Sequence, residues 1–302
     1  MLKGSLRCLQ RCGSYHSISS SKEATKALSR CKRASELIKL VRATQESQQI
    51  DGIFCAAALQ RLSVLEQRDV LHGAEAWSLV SDLAYRNLPK LGAQELAMVA
   101  LAVGKAQRGS KLLKAILNRV LPGLVVSNEP LSLRHCANLA WAVASLRLQS
   151  PELFQELLLA CRQREANARD LAQLLWSFAK AQEPGLELLE TLKTKDLGAF
   201  GGHDLATTVW AVATMSSPGP MALSLLQKLA GVAGSCELTP QGLSMVCWGY
   251  ATLQLELNLW STLLPKVMHQ NFTPQGASNI LWAMATVAAK DMDQVRMVLA
   301  VP

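Results

Sequence analysis

Five tryptophans recur along the chain at nearly constant intervals, and this spacing restricts the possible folds more than any other feature. Trp141, Trp176, Trp210, Trp248 and Trp282 are separated by 35, 34, 38 and 34 residues. A sixth copy places Leu101 in the same position, and a weaker seventh places Ala57 there. Periods of this length belong to stacked helical hairpins, each with an apolar face that only its neighbour can cover. The composition agrees, with half of the residues apolar, 18% charged and 5% aromatic, which favours helices packed through small side chains over sheets. The predicted fold is all-α: an α-solenoid of about seven stacked helical hairpins forming a right-handed superhelix.

The residues around each anchor repeat in register. Nine positions before it stand Gly92, Ser132, Asn167, Gly201, Thr239 and Thr273, types that suit a helix N-cap. Pro240 and Pro274 follow at the first helical position. Leu96, Cys136, Leu171, Leu205, Leu243 and Ala277 lie five before the anchor, and Val103, Val143, Phe178, Val212, Tyr250 and Met284 two after it. Three after it comes a small column, Gly104, Ala144, Ala179, Ala213, Ala251 and Ala285, which lets neighbouring helices approach closely. A second helix follows a short break in each copy, beginning near Pro151, Gly185, Met221 and Leu259. The last copy has only a short second helix over 291–302.

The net charge of +8 suggests a polyanionic partner, but its location undercuts that inference. Residues 1–45 hold ten basic and two acidic side chains, and the remaining chain is neutral, so bulk charge says nothing about what the array binds. The first 22 residues contain four basic residues, six serines and no acid, with Leu2, Leu6 and Leu9 on one helical face. That is the composition of an organellar transit peptide, the bland alternative being a disordered basic tail. The expected organisation is an address or basic segment over 1–32 and a helical-repeat array over 33–302. The expected location is the mitochondrion, with the plastid as alternative.

Eight cysteines without a C-x-x-C pair read as reduced, mostly buried thiols. The uncharged stretch 205–227 is long enough to span a bilayer, but its helical periodicity and Ser-Ser-Pro-Gly-Pro break argue against membrane insertion. The five histidines are dispersed and no Walker A, H-E-x-x-H or G-x-S-x-G pattern occurs. The reading is therefore of a non-enzymatic binding protein, with no cofactor and no metal.

One polar pattern is informative. Seven before the anchor stand Gln94, Arg134, Arg169, His203, Gln241 and Gln275; three before it Met98, Asn138, Gln173, Thr207, Met245 and Asn279; four after it Lys105, Ser145, Lys180, Thr214, Thr252 and Thr286. These offsets, with the small residue one after the anchor between them, share one face of the first helix, and stacked copies would join that face into a polar lane. Amides and hydroxyls there could meet base edges while Arg and Lys meet phosphates. An uncharged solvated face is the bland alternative. The candidate RNA-binding residues are Lys105, Arg134, Asn138, Arg169, Gln173, Lys180, His203, Thr207, Gln241, Gln275 and Asn279. The tryptophans read as core wedges between helices rather than as base-stacking residues.

The strings LAQLLWSFAKA at 171–181, QGLSMVCWGYATL at 241–253 and QGASNILWAMATV at 275–287 resemble octotricopeptide repeats. They are similar also to the degenerate helical repeats of FAST-kinase-like, RAP-domain proteins. The resemblance covers roughly residues 91–290, with repeats of varying length and no RAP domain expected after them. It implies an organellar protein that binds single-stranded RNA and acts in RNA processing, stability, translation or ribosome assembly. The alternative is a protein-binding scaffold or a structural subunit of an organellar ribosome or other large complex.

If residues 1–45 carry an address, fusing them to a fluorescent reporter is expected to place it in mitochondria; a reporter left diffuse in the cytosol would contradict import.

Overall fold

A computed structural model describes residues 20–46, 50–65, 69–124, 131–215, 219–255 and 259–288. Among these residues the chain forms fifteen α-helices and no strand, as the Ala- and Leu-rich periodicity predicts. The segment before Ser20, with Cys8, Cys12 and His16, and the last copy's second helix over 291–302 lie outside the described residues. The chain divides into two compact units, Met1–Leu148 and Gln149–Pro302.

The first unit holds α1 (Ser21–Leu28), α2 (Ala34–Glu46), α3 (Gly52–Leu65), α4 (Val70–Asn87), α5 (Ala93–Lys105), α6 (Ser110–Val120) and α7 (Leu133–Ser145). Helices α1, α3, α5 and α7 pack in succession, and α2, α4 and α6 do the same beside them. The second unit holds α8 (Pro151–Gln163), α9 (Ala168–Ala181), α10 (Leu186–Lys193), α11 (Gly202–Thr214), α12 (Pro220–Ala233), α13 (Pro240–Thr252), α14 (Trp260–Met268) and α15 (Pro274–Ala288). Here α9, α11, α13 and α15 form one row, and α8, α10 and α12 another. Each unit is thus a double layer in which every second helix in sequence is a neighbour in space.

Helix α1 lies inside the stretch 1–32 read from sequence as an address. Its Ala24 and Leu28 are buried, and the helix packs against α3, so packed structure begins before residue 33. A periodic segment of eight residues is too short to distinguish a docked helix from a basic leader.

The anchor-minus-nine column starts the first helices as expected. Ser132 Oγ accepts the His135 N–H at 3.4 Å, Asn167 Oδ1 the Asp170 N–H at 2.8 Å, Thr239 Oγ1 the Gly242 N–H at 3.1 Å and Thr273 Oγ1 the Gly276 N–H at 3.2 Å. Where the cap is Gly201 and has no side chain, its own N–H donates to Asp204 Oδ2 at 3.0 Å. The helix ends repeat too, through a column that residue type does not reveal. Gln107, Arg147, Gln182 and Gln254, each six after the anchor, adopt positive φ between 51° and 61°. The following N–H then reaches back into the last turn, as Glu183 N does to Phe178 O at 2.9 Å and Leu148 N to Val143 O at 3.0 Å.

Small residues set the distance between rows of first helices. A Cβ at Gly104 of α5 would lie 2.8 Å from Ala142 Cα of α7, and one at Gly249 of α13 only 2.6 Å from Val209 Cγ1 and 3.2 Å from its carbonyl oxygen. Between the layers, Phe178 is fully buried and meets Phe154 edge to face at 4.8 Å, and the buried Tyr250 hydroxyl donates to Leu226 O at 2.8 Å. The six described cysteines are buried free thiols; burial pushes those of Cys55 and Cys247 up to about 12, so they stay neutral. Of the uncharged stretch 205–227, residues 205–214 lie in α11 and 220–227 in α12, and no described helix is long and apolar enough to cross a membrane.

Gly249→Ala is expected to destabilise the protein by about 1–3 kcal/mol through overpacking. The exposed Gly231, where a Cβ would meet nothing within 4 Å, is expected to gain up to about 1 kcal/mol on replacement by Ala. Denaturant unfolding of both variants checks the contrast, and equal effects would refute the close-approach account.

Candidate nucleic-acid interface

The way first helices pack decides which of their faces stays open. The columns four before, one before and three after the anchor are buried on α9, α11 and α13, as with Ala172, Leu175 and Ala179. The column one after it is buried as well, Ser177 and Ala211 being fully inaccessible. The small residue one after the anchor therefore belongs to the helix contact and not to the polar lane. What remains outward is the set at minus seven, minus three, zero and plus four.

The predicted lane residues do occupy this outward face. Gln94, Arg134, Arg169, His203, Gln241 and Gln275 are exposed, while Asn138, Gln173, Thr207 and Asn279 are half-buried. Lys105 and Lys180 are exposed at the helix ends. Lys105, Arg134 and Asn138 stand on α5 and α7 of the first unit; the others stand on α9, α11, α13 and α15 of the second.

The tryptophan column departs from the expectation of core wedges. Trp141, Trp176, Trp210 and Trp248 are only half-buried, and Trp282 is 47% exposed. The buried indoles are Trp77 and Trp260, neither of them an anchor. Helical geometry explains the difference: at about 100° per residue, the anchor lies within about 60° of all three lane offsets. A side chain at that angle straddles the helix contact and the lane: the Trp141 ring packs against Gly104 of the preceding first helix and is still not fully buried.

In the second unit these side chains meet in one open groove of about 980 Å³. Trp176, Trp210 and Trp248 line it together with Lys180, Met245 and the amides Gln241, Asn271, Gln275 and Asn279. Of the predicted residues, Lys180, Gln241, Gln275 and Asn279 are thus brought together, whereas Arg169, Gln173, His203 and Thr207 are not among the lining residues. Trp176 and Trp210 lie ring to ring at 5.9 Å with planes tilted by 35°, and Lys180 Nζ sits 6.0 Å from the Trp210 ring, within cation–π range. Asn271 and the half-buried Phe272 also line the groove from just before the helix; Phe272 belongs to an apolar column ten before the anchor, with Leu91, Leu131, Ala166, Phe200 and Leu238, whereas the position of Asn271 shows no recurring residue type.

Electrostatically the groove is sparse. Among the described residues no acid lines it, and Lys180 is its one cation. Arg169 Nε lies 3.2 Å from Asp204 Oδ2 on the next first helix, a locally neutral pair. Several other cations are directed into the fold: Lys228 Nζ donates to Lys193 O at 3.1 Å, and Lys266 Nζ to the carbonyls of Gly234 at 2.9 Å and Cys236 at 2.8 Å. Arg119 donates to Pro89 O at 3.0 Å in the same manner. These side chains satisfy carbonyls of the preceding copy, and a ligand could recruit them only by breaking those bonds.

The hydroxyls are committed as donors. Thr214, Thr252 and Thr286 each donate to the carbonyl of the anchor tryptophan four residues earlier at 2.8 Å, and Thr207 donates to His203 O at 2.9 Å. Toward a ligand they can act only as acceptors. Among the described residues no three His, Cys, Asp or Glu side chains gather as a metal site. No protein-family model and no curated protein matches the sequence.

Because its ring is half-buried, Trp176→Ala is expected to cost about 1–2 kcal/mol, against about 3–5 kcal/mol for the buried Trp260→Ala. Equal losses in denaturant unfolding would return the anchor column to the core.

Proposed function

We propose that this chain is an organellar RNA-binding helical-repeat protein acting in RNA processing, stability, translation or ribosome assembly. In this reading the hairpins belong to one α-solenoid of about seven copies, of the octotricopeptide or FAST-kinase-like kind. The observation that carries it is the second unit's groove, where three indole rings and four side-chain amides share one surface with no acid among its described lining residues. Single-stranded nucleic acid is recognised by that combination: aromatic rings stack bases, amides read their edges, and cations hold phosphates. The mitochondrion is the proposed location, resting on the composition of the first residues.

A protein-binding scaffold is the second reading, and one observation favours it. On α15, Leu281 is 62% exposed beside Trp282, an apolar pair suited to a protein partner, and the groove has little positive charge.

Binding of the purified chain to a random single-stranded RNA pool at physiological salt separates the two readings. Under the RNA reading, Lys180→Ala removes the one cation among the groove's described lining residues, weakens all RNAs alike and lowers the salt slope by about 0.7. Replacing Gln241, Gln275 and Asn279, which line the groove, changes which sequences are retained, because amides meet base edges. Retention of no RNA, with a co-purifying protein held through the same face, would establish the scaffold instead.

A further inference from the structure

We infer that the outer face of α15 pairs with the same face of a second copy of this chain, forming a two-fold dimer. The inference does not depend on what the groove binds, and it assigns the exposed Leu281 and Trp282 a partner.

First helices touch one another through fixed columns. Gly249, one after the anchor on α13, lies against Val209, one before the anchor on α11. Likewise Trp141 and Ala142 of α7 lie against Gly104, three after the anchor on α5. The anchor and the residue after it thus meet the preceding first helix, and the columns at minus one and plus three meet the following one. The column at minus four shares that forward face, one helical turn earlier. On α5, α7, α9, α11 and α13 all three forward columns are buried. On α15 they are Ser278, Leu281 and Ala285, and all three are exposed, although Ala283 on the backward side is fully buried.

The open face continues an interface that the row already makes. Its equivalent on α13 is covered by α15 itself, so the shape it complements is a helix of this same repeat. From α5 onward, α15 is the one described first helix with the forward face free, and a second copy therefore offers its own α15. The opposite end of the array is a poor match. Helix α1 has only eight residues and exposes Lys22, Glu23 and Lys26, which Leu281 could cover only by desolvating charges. No residue of α15 is charged, so two copies of it meet without burying or opposing charge.

The pattern along α15 is also self-complementary. Leu281 stands between Ser278, three before it, and Ala285, four after it, the 3–4 alternation of a helix-pairing seam. In an antiparallel pair related by a two-fold axis, the Leu281 knob of each copy falls over a small residue of the other. Trp282, about 60° from the Ala285 column, lies at the rim of the seam. A contact of this kind uses the same patch on both copies and closes at two chains rather than growing into a filament.

Sedimentation velocity of the full chain over a concentration series tests the pairing. One helix face is smaller than the roughly 800 Å² per partner of a standard interface, so a reversible dimer with Kd on the order of 10 μM is expected. Leu281→Glu and Leu281→Lys, at a position exposed in the single chain, should each weaken the dimer at least about tenfold at an unchanged melting temperature. Mixing the two variants should restore dimers, because a two-fold axis brings residue 281 of one copy beside residue 281 of the other. An unmodified chain that stays monomeric at about 100 μM, well above the expected Kd, would overturn the inference. So would a dimer insensitive to Leu281→Glu, or a mixture that stays monomeric. A fall in melting temperature on Leu281→Glu in a monomeric chain would show that the face is covered from within the same chain, which also overturns it.

Discussion

The close contact of one first helix with the next governs much of this protein's chemistry. Where Gly104 meets Ala142, and where Gly249 meets Val209, the helices approach so closely that a single added methyl group would collide with backbone or Cβ-branched neighbours. That contact uses the columns at minus four, minus one, plus one and plus three from the anchor. On α15, after which no further first helix is described, Ser278, Leu281 and Ala285 from three of these columns are exposed. Their equivalents on α13, Ser244, Cys247 and Ala251, are buried. Helix packing therefore decides, residue by residue, what is left to face outward. The outward remainder is the anchor indole with the polar residues around it.

The same packing explains how a chain with 31 basic residues forms a groove with so little charge. Helix ends leave carbonyls without partners, and in this fold lysines and arginines from a later helix fill several of those vacancies, as Lys266 does for the turn after α12. Cations used in this way satisfy helix-end carbonyls and leave mainly neutral groups on the outward face. The proposed interface thus relies on ring stacking and amide hydrogen bonds. An interface of that kind depends weakly on salt and strongly on base identity, whereas a basic groove does the reverse.

Much of the fold was legible in the sequence because its signals are local and repeated. The caps at Ser132, Asn167, Thr239 and Thr273 stand nine before each anchor, and each makes the hydrogen bond that its residue type suggests. The helix ends are harder to read. A left-handed residue is usually betrayed by glycine, and this protein places Gln107, Arg147, Gln182 and Gln254 there, types that give no such warning. The lane was legible from spacing, whereas the tryptophans misled because residue type outweighed angular position. Large aromatic side chains are most often core, yet Trp176, Trp210 and Trp248 sit at the border between helix contact and solvent, with part of each ring left to the groove. Phe272 and Asn271 complete that groove from a connection between helices; Phe272 stands in an apolar column whose other members, such as Leu131, Phe200 and Leu238, are buried, and Asn271 stands in none, so their part in the groove depends on tertiary placement.

In the proposed function, the outward face of the first helices touches RNA. Ultraviolet crosslinking of the protein to RNA in intact cells, followed by mass spectrometry of the crosslinked peptides, addresses it most directly. Nucleotide adducts are expected on peptides from α9, α11, α13 and α15, concentrated around Trp210 and Trp248 and the amides beside them. Adducts confined to the second helices α8, α10, α12 and α14, or no recovered RNA at all, would contradict it.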